Sequence, residues 1–239
     1  MIGGPVQPGF RQSQDPYSTG QDGRWEGAAE QTRFLQQVLA NFGVSLLVAS
    51  LGAFLAWQLP PAAFLPLVVV EFVLLLAVVF ARRSARVGPV LLYAFALVSG
   101  ATTVPLLLWA IGTTGGTAVI YNALGVSGSV FCAMAWYGYT AKRDLSGWGP
   151  FLMIGLIGSL VASFVGIFIT RSTGFELLIS TVIVITFTGF VAYDLNQIKA
   201  KWREYDVTTA TLTLYLDFLN LFTAILRILA ILNGGGRRD

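Results

Sequence analysis

The sequence has no histidine, one cysteine and few charged residues, and each shortage removes a class of function. Among its 239 residues, 11% are charged and 55% are hydrophobic. Without His, imidazole metal ligands and imidazole general bases are excluded, so proton chemistry must use carboxylates. The single Cys132 has no partner for an intrachain disulfide, and we expect it to fill apolar space.

The scarcity of charge also indicates the environment. Soluble domains carry roughly 25% charged residues. The formal net charge of +3 is too small for the clustered basic face that binds nucleic acid, so no nucleic-acid partner is expected. The composition therefore predicts a membrane protein whose first partner is the lipid bilayer.

Seven apolar blocks follow one another from residue 34, each near the ~20 residues that a helix needs to cross the bilayer. They are continuously apolar, which excludes the alternating pattern of a membrane β-barrel. We predict an all-α polytopic membrane protein with a seven-transmembrane-helix bundle. The predicted spans are 34–57, 63–81, 89–111, 118–140, 149–170, 176–198 and 210–232.

The two ends of the chain are predicted to lie outside this domain. Residues 1–33 are rich in Gly, Pro, Gln and Ser and lack an apolar run, so we expect a disordered tail. A helix at the membrane interface over residues 25–33 is an equally good interpretation of that part. The transmembrane domain would occupy residues 34–232 and a short C-terminal tail residues 233–239.

The distribution of Lys and Arg predicts a cytoplasmic N-terminus. The outer side of the membrane would then hold Arg171, Arg237 and Arg238. A re-entrant last block would return the last two to the cytoplasm. The cations placed inside are Arg11, Arg24, Arg33, Arg82, Arg83, Arg86, Lys142, Arg143, Lys199, Lys201 and Arg203.

Ionisable residues within the apolar blocks are the candidate functional residues. A charge at the bilayer centre costs roughly 2.5–3.5 kcal/mol, so such groups usually face a bundle interior or a water cavity. Asp194 and Asp217 would lie roughly 6 and 10 Å from the same membrane face, which allows them to meet. The remaining candidates are Glu71, deeper in the second block, Arg82 at its inner edge, and Arg227.

Two carboxylates in one low-dielectric pocket cannot both ionise cheaply, so Asp194 and Asp217 are expected to share a proton. Losing that proton leaves up to four hard oxygen ligands, which suit Ca²⁺ better than Mg²⁺. Since Ca²⁺ prefers 6–8 oxygens, binding would be weak and pH-dependent. The structural alternative is that each aspartate pairs permanently with Arg82 or Arg227 and locks the helices together.

Three segments resemble the Bax inhibitor-1 family, in particular its bacterial members. They are TGFVAYDLNQI at 188–198, LTLYLDFLNLF at 212–222 and ILRIL at 225–229. The segments LVVVEFVL at 67–74 and KRDLS at 142–146 are also similar. The resemblance covers roughly residues 34–232 and is most specific over the last fifty of them.

The resemblance implies that the last helix lies at the centre, wrapped by the other six, and that the protein is a pH-sensitive Ca²⁺ leak in a bacterial inner membrane. Asp194 and Asp217 would form the pH sensor and ion-binding pair. Arg82 would be a latch on the first aspartate, Glu71 would line the pore, and Arg227 would be a secondary charge partner. Ca²⁺ would be a permeant or weakly bound ion, with no tightly bound cofactor and no enzymatic activity.

Two other functions are compatible with the sequence. A non-conducting regulator would bind a membrane protease or a cell-death protein through its helices or tails, which is supported by family analogy alone. An intramembrane aspartyl protease would use the same carboxylate pair, but the usual Gly-x-Gly-Asp is replaced by Tyr215-Leu216-Asp217. A retinal protein is excluded, because the last block has no Lys for a Schiff base.

Overall fold

The structure, a computed structural model, consists of helices joined by short connections. It describes the backbone of residues 18–81, 84, 86–168 and 172–234, and the side chains within these ranges from residue 26, except 163, 164 and 166–168. Two 3-10 turns, Pro61–Ala63 and Ser146–Trp148, lead into the second and fifth helices. The seven long helices are α1 Ser18–Ala56, α2 Phe64–Ala81, α3 Val87–Ile111, α4 Ala118–Thr140, α5 Gly149–Phe168, α6 Thr173–Ala200 and α7 Val207–Gly234.

Six of these helices are long and apolar enough to cross a membrane, and α7 is among them. The apolar segment around α5, Ser146–Ala162 in the part of the chain searched, is shorter. Large apolar side chains cover the outside of the bundle, for example Phe80 at 85% exposure and Phe54 at 76%. Because lipid replaces water around such a surface, this exposure is expected. The predicted all-α polytopic membrane fold is confirmed.

The first helix corrects one expectation. Every helix from α2 to α7 begins and ends within three residues of its predicted span, whereas α1 starts at Ser18. The structure has helix over residues 18–33, where a disordered tail was expected, and the alternative of an interfacial helix covered only residues 25–33 of this stretch. Packing explains part of the extension, since Gln31 Nε2 donates to the Lys199 carbonyl at 2.8 Å. Residues 1–17 and 235–239 lie outside the described residues.

The helix pair α6 and α7 has well-defined starting points. The Ser172 side chain accepts a hydrogen bond from the Phe175 backbone N–H and caps α6. Asp206 caps α7 by accepting from the backbone N–H and hydroxyl of Thr209, at 2.8 and 2.7 Å. Because both helix starts are capped, the register of the polar residues along each helix is well specified.

The last helix is the most buried one. In its most apolar 18-residue window 56% of residues are buried, against 6% for the segment that contains α2. Its main neighbours are α1, α3, α4 and α6. The expectation that all six other helices wrap α7 needs a correction, because α2 packs mainly on α3 and α5 mainly on α6. The centre is thus a five-helix core with two outer helices.

Close helix crossings depend on glycine. Gly52 of α1 faces the Leu97 carbonyl of α3, and Gly100 of α3 faces the Ala49 carbonyl of α1. A Cβ at either glycine would overlap the opposite backbone. Small residues of this kind let membrane helices approach closely enough for extensive van der Waals contact. The α1–α3 crossing therefore has no room for a methyl group.

Gly52→Ala is expected to lower thermal stability in detergent, because overpacking costs about 1–3 kcal/mol. Gly43→Ala on the same helix is the matched control, since a Cβ there meets nothing within 4 Å. It should be neutral or slightly stabilising, because Ala favours helix over Gly. Unfolding midpoints, measured by size-exclusion chromatography after heating, would check this. Equal midpoints for both variants would contradict the close packing of α1 on α3 at Gly52.

Candidate functional site

The structure places the carboxyl groups of Asp194 and Asp217 within hydrogen-bonding distance of each other, between α6 and α7. We call the end of the bundle where α1 starts and α6 ends the N-terminal end. Asp194 lies six residues before the end of α6 and Asp217 ten residues after the start of α7. At 1.5 Å per residue these positions are roughly 9 and 15 Å from the N-terminal end.

Asp217 is enclosed by protein. It is 4% exposed, and no donor among the described residues reaches its Oδ2. A buried polar atom without a hydrogen bond costs free energy, and a buried carboxylate costs more than a neutral acid. A proton held between the two carboxyl groups would remove the charge repulsion between them. The geometry is therefore well suited to a shared proton.

Apolar and phenolic residues lie near the pair. Phe190, Leu195 and Leu214, which are within one helical turn of an aspartate along the chain, belong to the main buried hydrophobic cluster. The phenol of Tyr205, in the connection between the two helices, is close enough to interact with Asp194. Burial, followed by the nearby Asp194 charge, raises the pKa of Tyr205 above its usual value. The phenol therefore stays neutral at physiological pH and remains a hydrogen-bond donor.

Next to the pair, two buried amides hold the α4–α5 connection. Asn196 Oδ1 accepts from the Leu145 N–H at 3.1 Å, and its Nδ2 donates to the carbonyls of Gly138 at 3.2 Å and Arg143 at 3.3 Å. Gln197 Nε2 donates to Asp144 Oδ1 at 3.2 Å. Both amides are nearly fully buried. We call this arrangement the amide clamp.

The amide clamp is the element that the sequence reasoning missed. Its signal was present, because Asn196 and Gln197 lie two and three residues after Asp194 in a predicted apolar span. The sequence-based candidates were ionisable residues only, although buried polar groups of any kind must find partners. The clamp fixes the end of α6 that carries Asp194.

Asp144 supplies a fixed charge in the same connection. Hydrogen bonds from the Ser146 backbone N–H and hydroxyl and from Gln197 hold the pKa of Asp144 below its usual value. A lowered pKa means that this contact stabilises the fold above the unfolded pKa, near 3.9, and is lost only as pH falls through the lower folded value. Asp144 is therefore ionised throughout the neutral range and supplies no pH response there.

Comparison with known proteins gives the family. The family model described as inhibitor of apoptosis-promoting Bax1 matches residues 31–234. The chain belongs to the Bax inhibitor-1 family. The matched region contains all seven apolar blocks, including the helices that carry the aspartate pair and the amide clamp.

Several bacterial relatives are similar along most of their length. An uncharacterized membrane protein of Vibrio cholerae is 31% identical over 210 residues, which cover 87% of this chain and 93% of the relative. The inner membrane protein YbhL of Escherichia coli K12 is 33% identical over 220 residues, covering 82% and 90%. An uncharacterized protein of Helicobacter pylori J99 is 33% identical over 206 residues, covering 85% and 88%. These relatives support an integral membrane protein.

Glu71, which the Bax inhibitor-1 resemblance assigns to the pore, is not next to the aspartate pair. Its Oε2 accepts a hydrogen bond from Thr102 Oγ1 of α3 at 2.7 Å. It also interacts with Tyr215, whose hydroxyl is hydrogen-bonded to Ser99 Oγ. Tyr215 and Asp217 are two residues apart on α7, or roughly 200° around the helix. Glu71 therefore lies on the opposite side of α7 from the pair.

The structure describes one of the two arginines that were predicted to pair with the aspartates. Arg227 is half-buried and has interactions of its own, but it lies ten residues after Asp217. That spacing is roughly 15 Å along α7, farther than the two side chains can span, so Arg227 is not a direct partner of Asp217. Arg82 lies outside the described residues, so its role as a latch stays a prediction.

The described residues contain no group of three or more His, Cys, Asp or Glu side chains that would hold a metal ion. The pair alone offers at most four carboxylate oxygens, below the 6–8 that Ca²⁺ prefers. A cation at this place would need water or backbone carbonyls as further ligands.

Asn196→Ala is expected to release the α4–α5 connection, because it removes one acceptor and two donors and leaves buried partners unsatisfied, at about 1–3 kcal/mol. Hydrogen exchange of residues 141–148 should become faster. Asn220→Ala is the matched control, since the Asn220 amide bonds only the Leu216 carbonyl of its own helix among the contacts described. Unchanged exchange in Asn196→Ala would contradict the clamp.

Proposed function

We propose that this protein is a pH-sensitive calcium leak in which protonation of the Asp194–Asp217 pair controls the flux. The observation that carries the proposal is the contact of the buried Asp217 carboxyl, which has an oxygen that no described donor satisfies, with the half-buried Asp194. Paired carboxyls in such a place respond to pH and, when ionised, attract a hard cation.

The chemistry of the pair sets the direction of the response. With one shared proton, the carboxyls hold α6 and α7 together and carry less charge. When that proton leaves, two negative charges remain in contact, and at about 4 Å such a pair repels by about 4 kcal/mol at an effective dielectric constant of 20. Separation of the helices or entry of a cation relieves this repulsion. Cation flux should therefore rise as pH increases through the titration of the pair.

The proposed orientation places the N-terminus in the cytoplasm of a bacterium and the protein in the plasma membrane. Cationic residues of the described connections cluster at the N-terminal end of the bundle, as positive-inside topology requires. The members of this cluster are Lys142, Arg143, Lys199, Lys201 and Arg203. In this orientation the aspartate pair lies in the cytoplasmic half of the membrane, where cytosolic pH and Ca²⁺ reach it first.

Asp217→Asn and Asp194→Asn are expected to lower calcium flux into dye-loaded liposomes and to flatten its pH dependence, because an amide keeps the shape but cannot ionise. Glu204→Gln is the matched control, since Glu204 is exposed in the connection between the same two helices. It should keep wild-type flux and pH response. If both aspartate variants conduct like the wild type at every pH, the pair does not control the flux.

The same preparations separate the alternatives. A wild-type protein that is folded but passes no calcium at any pH would favour the non-conducting regulator. Cleavage of a helical reporter peptide that disappears in Asp217→Asn would favour an aspartyl protease, whose acid–base chemistry needs a similar carboxylate pair.

A further inference from the structure

Three aromatic rings from three helices meet inside the bundle. Phe42 of α1 stacks on Phe131 of α4 with ring centroids 5.1 Å apart. Phe218 of α7 meets Phe42 edge-on at 6.0 Å and Phe131 edge-on at 5.6 Å. Each of these arrangements is a favourable aromatic geometry. We call these three residues the aromatic trio.

The aromatic trio lies at the depth of the aspartate pair. Phe218 directly follows Asp217 on α7, and Phe131 lies nine residues before the end of α4. These positions are roughly 17 and 14 Å from the N-terminal end, and Asp217 is roughly 15 Å from it. Because successive residues of a helix are about 100° apart, Asp217 faces α6 while Phe218 faces α1 and α4.

On the other side of the aromatic trio is a cavity of about 420 Å³ between α1, α3, α4 and α7. It extends from Trp57, at the far end of α1, to Phe218 and Tyr215 of α7. Its lining on α1 begins at Leu46, one turn beyond Phe42, and neither aspartate lines it. Phe218 is the ring of the aromatic trio that lines this cavity.

Below the rings, toward the N-terminal end, the packing is tight. Thr211 of α7 lies two turns from Phe218 on the same face and is fully buried. Its hydroxyl is 3.4 Å from the Val38 carbonyl of α1, one turn from Phe42. The cavity therefore does not continue below Phe218 between α1 and α7, and on the α3 side it reaches Tyr215, whose hydroxyl is hydrogen-bonded to Ser99 Oγ.

We propose that the aromatic trio is the closed barrier of the ion path, and that the cavity is its approach from the end of the bundle opposite the N-terminal end. Apolar constrictions exclude ions by excluding water, so three packed rings above Thr211 and Val38 block passage while the helices stay together. Separation of α7 from α1 and α4 breaks the ring contacts. The transport role rests on the proposed function, whereas the water barrier is a property of the packing.

Phe131→Ala tests the barrier by flux. Calcium entry at a pH where the wild type is nearly closed should rise about tenfold or more, which corresponds to a barrier lowered by about 1.4 kcal/mol. Phe187→Ala is the matched control, because Phe187 is 7% exposed against 6% for Phe131 but packs beside Phe190 on α6. It should conduct like the wild type. Equal flux in both Phe variants and the wild type would overturn the proposal.

Thiol labelling in sealed liposomes, with a membrane-impermeant reagent only on the side opposite the N-terminal end, tests the barrier without any calcium flux. In a Cys132→Ala background, Thr211→Cys places a thiol two helical turns below Phe218, between the rings and the N-terminal end. A hydrophilic thiol reagent should label it slowly, and about tenfold faster or more when Phe131→Ala is added, but not with Phe187→Ala. Unchanged labelling would overturn the barrier.

Calcium flux and thiol labelling test the transport role and the water barrier separately. Faster labelling in a protein that never conducts calcium would support the barrier and contradict the calcium leak. Phe42→Ala repeats both measurements at a half-buried ring, where the loss of packing is smaller, and the same increases are expected. If the Phe42 and Phe131 variants are both folded and both behave like the wild type, the rings are not the barrier.

Discussion

A pair of carboxyl groups enclosed between α6 and α7 is the constraint on which the rest of the arrangement depends. Lipid offers no hydrogen bonds, so a polar group in a membrane helix must find its partner in protein or face a cavity. Asp217 satisfies this requirement by burial next to Asp194. The helix that carries it must then lie in the interior, and α7 is the most buried helix of the described chain.

The central helix presents a different chemistry in each direction. Toward α6 it presents Asp217, toward α3 it presents Tyr215 with the hydrogen bonds to Ser99, and toward α1 and α4 it presents the ring of Phe218. These three residues lie within four consecutive positions. A small movement of α7 therefore changes the carboxyl contact, the hydroxyl contacts and the aromatic packing together. This coupling is why control by the pair and closure by the rings form one mechanism in our proposals.

The surroundings of the pair limit what else can respond to pH. Asp144 keeps its charge through the neutral range because three hydrogen bonds lower its pKa, and Tyr205 stays protonated because burial raises its pKa. The amides of Asn196 and Gln197 do not titrate, and their hydrogen bonds hold the end of α6 throughout the neutral range. Asp144 and Tyr205, which lie next to the pair and outside the spans, thus keep the same protonation state throughout the neutral range.

Much of the fold could be predicted from the sequence, because apolarity along the chain is a local property. It determined the membrane environment, the helical class and the bounds of α2 to α7 within three residues, and it singled out Asp194 and Asp217 as costly in lipid. Only the tertiary structure decided how the helices are rotated and which are neighbours. It separated Glu71 and Arg227 from the pair, extended α1 to Ser18, and brought together the amide clamp and the aromatic trio. Those features depend on contacts between residues far apart in the chain, and the side-chain packing of all the helices together determines them.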